Sequence, residues 1–164
     1  VLIFFVDMFR AIPPLVIMVF AYFALPFIGF TMPAFLAATV SLVLVLAAFS
    51  EEIFWAGITS VDRGQWEASR STGLTHVQTL FSVILPQAIR LGVPPLTNRA
   101  IAITKGTSLA SVIAVQEIIN RASSAQSLAA NPSPLMLGAI LYLIIFGPLV
   151  RLSRWVETRY RHAH

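Results

Sequence analysis

The sequence AIPPLVIMVFAYFALPFIGFTMPAFLAATVSLVLVLAAFS occupies residues 11–50 and contains no charged residue. A run of about 18 or more apolar residues without charge is typical of membrane-spanning helices, because about 20 helical residues cross about 30 Å of hydrocarbon. Residues 122–150 form a second stretch without a charged side chain. These two stretches predict an all-α, multi-pass membrane protein.

The overall composition favours the same fold class. Charged residues make up 11% of the chain, whereas soluble domains carry about 25%. Cysteine is absent, which excludes disulfides, thiolate metal sites and cysteine nucleophiles. The three histidines, at positions 76, 162 and 164, do not have the helical spacing of metal ligands. We therefore predict no metal site.

Four apolar segments and a polar loop organise the chain. We expect the third segment to be broken by Pro86, Pro94 and Pro95, because proline removes a helical donor and clashes with the preceding turn. The opening without Met, in the middle of apolar sequence, leads us to expect a fragment that lacks an N-terminal helix. The expected spans are 12–28, 34–49, 80–119 and 135–150, with a turn at 29–33 and a small-residue loop at 120–134.

The net charge of the chain is +4, and the positions of its basic residues indicate how the chain is oriented in the membrane. Most basic residues lie at the ends of apolar segments, so orientation in the bilayer explains them better than nucleic-acid binding. The positive-inside rule places the loop at 59–79 and the C-terminus in the cytoplasm. We predict one transmembrane domain over residues 1–164, with this loop inside it.

The loop at 59–79 contains two helix-terminus signals. Residues 65–72 form a plausible short helix, and Gly73 stands where a helix ending needs a positive φ. Leu74 is expected to pack back over that ending. Thr75 and Gln78 fit a capping box at the start of a second short helix. The pattern predicts a helix, a glycine turn and another helix.

Several ordered strings carry a resemblance to a known family. Gly64-Gln65-Trp66-Glu67-Ala68-Ser69, followed by Thr72-Gly73 and Ile84-Leu85-Pro86-Gln87-Ala88, resembles the Glu-Ala-Ala loop of bacterial importer permeases. The start of the second helix in the same family resembles Phe9-Arg10-Ala11-Ile12-Pro13. Its fourth helix is similar to Pro94-Pro95-Leu96-Thr97-Asn98 and to Lys105-Gly106-Thr107-Ser108-Leu109. The chain thus resembles permease subunits of ABC importers for polar amino acids, of the histidine and glutamine permease type.

The resemblance implies a multi-pass bundle of the type I importer kind, here with about four transmembrane helices. It implies that the loop is a coupling helix that docks on a cytoplasmic ATPase. The chain has no glycine-rich phosphate loop with Lys-Ser/Thr, so we expect no enzyme activity and no bound cofactor, with ATP and Mg used by the partner. The residues expected to couple to the ATPase are Gln65, Glu67, Ala68, Ser69, Gly73 and Leu74.

The resemblance also implies the partners and the location. They are two ATP-binding subunits, a second permease subunit that is identical or related, and an extracytoplasmic solute-binding protein. The location is the bacterial inner membrane, and the substrate is a polar amino acid. Small residues such as Gly106 and Ala110 are expected to allow close helix approach between the two permease subunits.

Departures from the family pattern concern charge. Arg99 and Gly106 stand where acidic residues are common, and Trp55 stands where arginine is usual. A basic residue at a helix centre costs about 2.5–3.5 kcal/mol on insertion scales, so Arg99 and Lys105 need partners. We expect Glu51, Glu52 or the substrate to supply them, and we expect a cationic substrate to be disfavoured. The expected path residues are Glu52, Asn98, Arg99, Lys105, Thr107 and Ser108.

Two other classes of membrane protein remain open at this point. One is an autonomous proton-coupled carrier or channel that uses Lys105 and Glu52 as a relay. The lack of a visible inverted repeat in the chain speaks against it. The other is a non-transporting anchor or scaffold, which leaves the Glu67-Ala68-Ser69 loop unexplained.

Overall fold

The structure is a computed structural model that describes residues 2–161, and the described part contains helices and no strand. His162 and His164 lie outside the described residues. The α-helices are α1 Leu2–Ala11, α2 Pro14–Val19, α3 Ala34–Ser60, α4 Arg63–Ser71, α5 His76–Thr79, α6 Leu85–Lys105, α7 Ile118–Ala129 and α8 Ser133–Arg161. Two π-helical segments, Phe20–Ala24 and Leu80–Ile84, and two 3₁₀ segments, Leu25–Ile28 and Gly106–Ile113, continue helices without a gap.

Among residues 2–161, three helices are long and apolar enough to cross a membrane: Ala34–Ser60, His76–Ile113 and Ser133–Tyr160. The pair Ile3–Ala11 and Pro14–Ile28 passes the same test together but is bent by 98°. The expected all-α, multi-pass architecture is confirmed.

The bend between α1 and α2 lies at Ile12 and Pro13. A residue before proline avoids the α conformation, and Pro13 itself is extended, with φ −58° and ψ 138°. Pro14 then occupies the first turn of α2, where a missing N–H is tolerated. Helix α1 was not expected from the sequence; it packs beside α3, with Val6 buried.

The expectation that prolines break the third segment is wrong. The chain is helical without interruption from His76 to Ile113, and Pro94 and Pro95 lie inside α6. Membrane helices tolerate proline where local π geometry and side chains satisfy the freed backbone groups. The π segment Leu80–Ile84 precedes Pro86 and includes Ser82, whose carbonyl loses its helical partner at Pro86.

The segment boundaries near residues 114–134 are also corrected. The third segment ends at Ile113, because Ala114 adopts a left-handed conformation with φ 62°. The region expected as a small-residue loop instead contains helix α7, whose alanines are strong helix formers. The fourth span continues past Val150 to Arg161, since arginine is also a good helix former.

Two small clusters hold the helices together. The first joins the α2 region, α3 and the 3₁₀ segment Gly106–Ile113. Its buried residues include Met18, Ala37, Leu42, Ala110 and Ile113. Ala110 is therefore covered by the chain's own core and is not available at a contact with a second subunit. The second cluster, around Val61, Ile84 and Ala88, lies under the polar loop.

The α8 span is the least covered of the three long spans. Only 6% of its most apolar window is buried, compared with 33% for α3 and 22% for the span His76–Ile113. Most of the apolar surface of α8 is therefore left for lipid or another subunit.

Candidate functional site

Helix α4 has a specified start and a specified end. The Asp62 carboxylate accepts from the Gly64 N–H at 2.6 Å and caps the N-terminus. At the other end Gly73 has φ +91°, its N–H donates to the Arg70 carbonyl at 3.1 Å, and the Leu74 N–H donates to the Ser69 carbonyl at 3.3 Å. These two bonds form a Schellman motif. The expected role of Gly73 in ending the helix is confirmed.

Helix α5 begins with the expected capping box. The Gln78 N–H donates to Thr75 Oγ1 at 3.3 Å, and the Thr75 N–H donates to Gln78 Oε1 at 2.9 Å. The Trp66 and His76 rings stack with centroids 4.9 Å apart, which joins α4 to α5 across the glycine turn. We call residues 62–79 the elbow.

The elbow is attached to the membrane spans at both ends. Trp66 and Ile58 pack on the buried cluster of Val61, Ile84 and Ala88. Thr79 runs directly into the π segment Leu80–Ile84 and then into α6. Helix α3 ends at Ser60, two residues before the Asp62 cap.

The elbow side chains expected to couple to an ATPase do not all face outward. Gln65, Glu67, Ala68 and Gly73 are exposed, and Leu74 is half-buried. Ser69 is buried, and its Oγ donates to the Gln65 carbonyl at 2.5 Å. The accessible outer face of α4 is therefore formed around Glu67 and Ala68, and Ser69 lies beneath it.

Glu52 lies away from the basic residues that it was expected to neutralise. Its Oε1 is 2.7 Å from Arg10 Nη2, which links α3 to α1. This pair borders a cavity of about 660 Å³ that is also lined by Asp7, Glu51 and Trp55. Among residues 2–161, neither Arg99 nor Lys105 forms an ion pair with Glu51 or Glu52. The expected pairings are therefore not present.

Asn98 and Arg99 contact different helices. The Arg99 guanidinium carbon lies 3.4 Å from the centroid of the Phe49 ring on α3, a cation–π contact. Asn98 Oδ1 accepts a hydrogen bond from Ser153 Oγ on α8. Helix α6 is thus held between α3 and α8 by two consecutive side chains.

Lys105 and Ser108 line a cavity of about 850 Å³ between α8 and the segment that follows α6. A neighbouring cavity of about 390 Å³ contains Asn98 and shares Lys105. Thr107 is exposed, donates to the Thr104 carbonyl at 2.7 Å, and lines neither cavity. Lys105 therefore lines both cavities, with Ser108 in the larger and Asn98 in the smaller, while Glu52 and Arg99 line neither.

Sequence reasoning missed three lining residues of the larger cavity as site residues, Tyr142, Arg151 and Arg154. The spacing of Gly147, Arg151 and Arg154 places them on one helix face, which was a usable signal. Tyr142 OH donates to Glu117 Oε2 at 3.2 Å, and Glu117 caps α7 by accepting from the Ile119 and Asn120 N–H groups.

Comparisons with known proteins agree with this architecture. The family model for the binding-protein-dependent transport system inner membrane component matches residues 1–162. The probable glutamine ABC transporter permease protein GlnP of Bacillus subtilis (strain 168) is 39% identical over 158 residues, covering 94% of this chain and 72% of the relative. The arginine transport system permease protein ArtQ of the same organism is 32% identical over 158 residues, covering 95% of this chain and 72% of the relative.

A solved structure is similar over nearly the whole chain. It is the crystal structure of an amino acid ABC transporter with histidines, with 33% sequence identity and a TM-score of 0.88. The alignment covers 94% of this chain and 73% of the solved chain. On the family match, these relatives and the shared fold, the chain belongs to the binding-protein-dependent transport system inner membrane components, among the amino-acid ABC transporter permeases.

Proposed function

We propose that this chain forms the translocation path for a polar amino acid together with a second permease subunit. In this proposal the elbow receives force from a separate ATPase that binds and hydrolyses ATP with Mg. Two ATP-binding subunits and an extracytoplasmic solute-binding protein complete the importer. The elbow and the C-terminal end of α8 face the cytoplasm.

The construction of the elbow is the observation that supports this proposal. Its turns are closed by hydrogen bonds at Asp62, Gly73 and Thr75, and its two helices are stacked through Trp66 and His76. A force applied to such an element moves it as a unit. Because the elbow joins α3 to α6, this movement shifts two membrane spans relative to the rest of the bundle.

Charge distribution supports the proposed orientation. Arg63 and Arg70 are exposed on the elbow, and Arg151, Arg154 and Arg159 are exposed at the end of α8. Basic residues in short loops and near span ends favour the cytoplasmic side. The sparse burial of α8 supports the second permease subunit, because its apolar surface is available for a contact of that kind.

The autonomous carrier is not favoured. Its proposed relay needs Glu52 and Lys105 to act together, whereas Glu52 is paired with Arg10. Lys105 instead lies with its Nζ 5.8 Å from the centroid of the Phe146 ring on α8. The family assignment points to a transporter subunit that works with partners.

A charge reversal at Glu67 tests the coupling role. In the reconstituted complex we expect Glu67→Arg to insert and assemble normally but to lose ATPase stimulation by the substrate-loaded binding protein. Arg159→Glu reverses the charge of an exposed position of α8 that lines neither cavity, and this control is expected to retain stimulation. Normal uptake by Glu67→Arg would contradict the coupling role.

The absence of cysteine permits a direct test of orientation. Ala68→Cys introduces one exposed thiol on the elbow. A membrane-impermeant maleimide is expected to label it in inside-out vesicles and not in right-side-out vesicles. Labelling from the outer side would overturn the proposed topology.

A further inference from the structure

The cavity of about 850 Å³ beside α8 combines apolar walls with basic groups. Leu143, Phe146 and Val150 supply apolar surface, and Ser108 and Tyr142 supply hydroxyl groups. Its charged lining residues are Lys105, Arg151 and Arg154, and no carboxylate of the described residues lines it.

The smaller cavity extends this basic region. It shares Lys105 and Arg154 with the larger cavity and reaches Asn98 on α6. Its one acidic lining residue among those described is Glu157, which lies beyond Arg154 towards the end of α8. Within residues 2–161, Lys105, Arg151 and Arg154 form no ion pair with a carboxylate.

Lys105, Arg151 and Arg154 are exposed and carry the same charge around one cavity, so an anion between them relieves their mutual repulsion. The contact that the structure gives Lys105 is the face of Phe146, which attracts a cation but does not neutralise it. An anion in the cavity supplies the missing counter-charge. A zwitterionic amino acid has one carboxylate and one ammonium group, and therefore no net charge to offer.

We propose that this cavity admits an amino acid with an acidic side chain, such as glutamate or aspartate, in preference to neutral and cationic ones. The inference rests on the proposed function, because it assigns a substrate class to the proposed path. The second carboxylate provides the negative charge that Lys105, Arg151 and Arg154 attract. An arginine side chain adds a fourth cation to the same region and is repelled.

The test uses the assembled permease–ATPase complex without the binding protein, so that the selectivity of the binding protein does not enter. The complex is placed in nanodiscs of zwitterionic phosphatidylcholine, and the binding of radiolabelled L-glutamate, L-glutamine and L-arginine is measured. We expect glutamate to bind about tenfold or more tightly than arginine, with glutamine between them.

Variants connect the preference to the basic residues. We expect Lys105→Gln and Arg154→Gln each to weaken glutamate binding by about tenfold, since each removes a charge-assisted contact, and to change glutamine binding less. Lys105→Asp is expected to shift the preference towards arginine. Arg159→Gln is the matched control, because Arg159 lies over the Trp155 ring and lines neither cavity.

Several outcomes overturn the inference. They are equal binding of arginine and glutamate by the unaltered complex, or unchanged glutamate binding in both Lys105→Gln and Arg154→Gln. Loss of co-purified phosphatidylglycerol in these variants without any change in glutamate binding assigns the cavity to lipid and also overturns it. If the acidic preference fails but the complex still takes up a neutral amino acid with ATP, the proposed transport function stands. If the complex takes up no amino acid at all, the transport function and the acidic preference are both contradicted.

Discussion

The guanidinium carbon of Arg99 lies 3.4 Å from the centroid of the Phe49 ring, and the guanidinium carbon of Arg10 lies 5.7 Å from the same ring. Phe49 belongs to α3, Arg10 to α1 and Arg99 to α6. One aromatic side chain therefore contacts basic groups from two other helices. Glu52, one turn further along α3, pairs with Arg10 and strengthens the same junction.

Replacing Phe49 by leucine removes the aromatic face while keeping an apolar side chain. We expect Phe49→Leu to destabilise the protein by about 1–2 kcal/mol, because both cation–π contacts are lost. Thermal unfolding in detergent measures the effect. Phe35→Leu is the control on the same helix, since Phe35 is exposed and is not one of the rings that hold a cation. Equal unfolding temperatures for the two variants would contradict the role of Phe49.

Gly57 permits the close approach of α3 and α6. A Cβ atom added at this position would lie 2.8 Å from the Ala88 carbonyl oxygen, which belongs to the backbone and cannot rotate away. We expect Gly57→Ala to destabilise the protein by about 1–3 kcal/mol through overpacking. Gly147→Ala on α8 is the control, because a Cβ there meets nothing within 4 Å.

In thermal unfolding Gly147→Ala is expected to be neutral or stabilising by up to about 1 kcal/mol, since alanine favours the helix. If Gly57→Ala unfolds at the same temperature as the unaltered protein, α3 and α6 separate easily enough to make room for the added Cβ atom.

Gly73 adopts a left-handed conformation that alanine adopts only with strain. We expect Gly73→Ala to cost about 1–2 kcal/mol locally and Gly73→Asn to cost less, because asparagine tolerates this conformation. Hydrogen exchange of the amides of residues 73 and 74 reports the loss of the Schellman bonds in each variant. The same exchange rates for the alanine and asparagine variants would count against this explanation.

Glu117 holds the start of α7 with both carboxylate oxygens and accepts a hydrogen bond from Tyr142. We expect Glu117→Ala to destabilise α7 by about 1 kcal/mol, with faster hydrogen exchange at the Ile119 and Asn120 amides. Glu117→Gln keeps one acceptor oxygen and is expected to have an intermediate effect. No change in exchange for either variant would exclude the capping role.

Local signals were sufficient to predict the elbow from the sequence. The positive φ at Gly73 and the capping box at Thr75 and Gln78 depend on residues a few positions apart, and both were confirmed. The spans expected at 34–49 and 135–150 were likewise predicted from continuous apolar runs, which do not depend on the tertiary fold.

The missed features depend on contacts that no local pattern records. Pro94 and Pro95 lie inside α6 against the local preference of proline, as membrane helices allow. The partners of Arg99 and Glu52 come from other helices, so opposite charge alone suggested the wrong pairs. Helix α7 is an exception, because its alanines and the Glu117 cap were local signals that the small, polar composition of the region outweighed in the prediction of a loop.

The elbow makes its own internal hydrogen bonds, and this has an energetic consequence for any protein that binds it. Association normally includes a cost for ordering flexible chain at the contact. Here Asp62, Gly73 and Thr75 hold the backbone in shape before contact, so little conformational entropy remains to be lost. A preorganised surface of this kind can be released and recaptured many times with little refolding in each cycle.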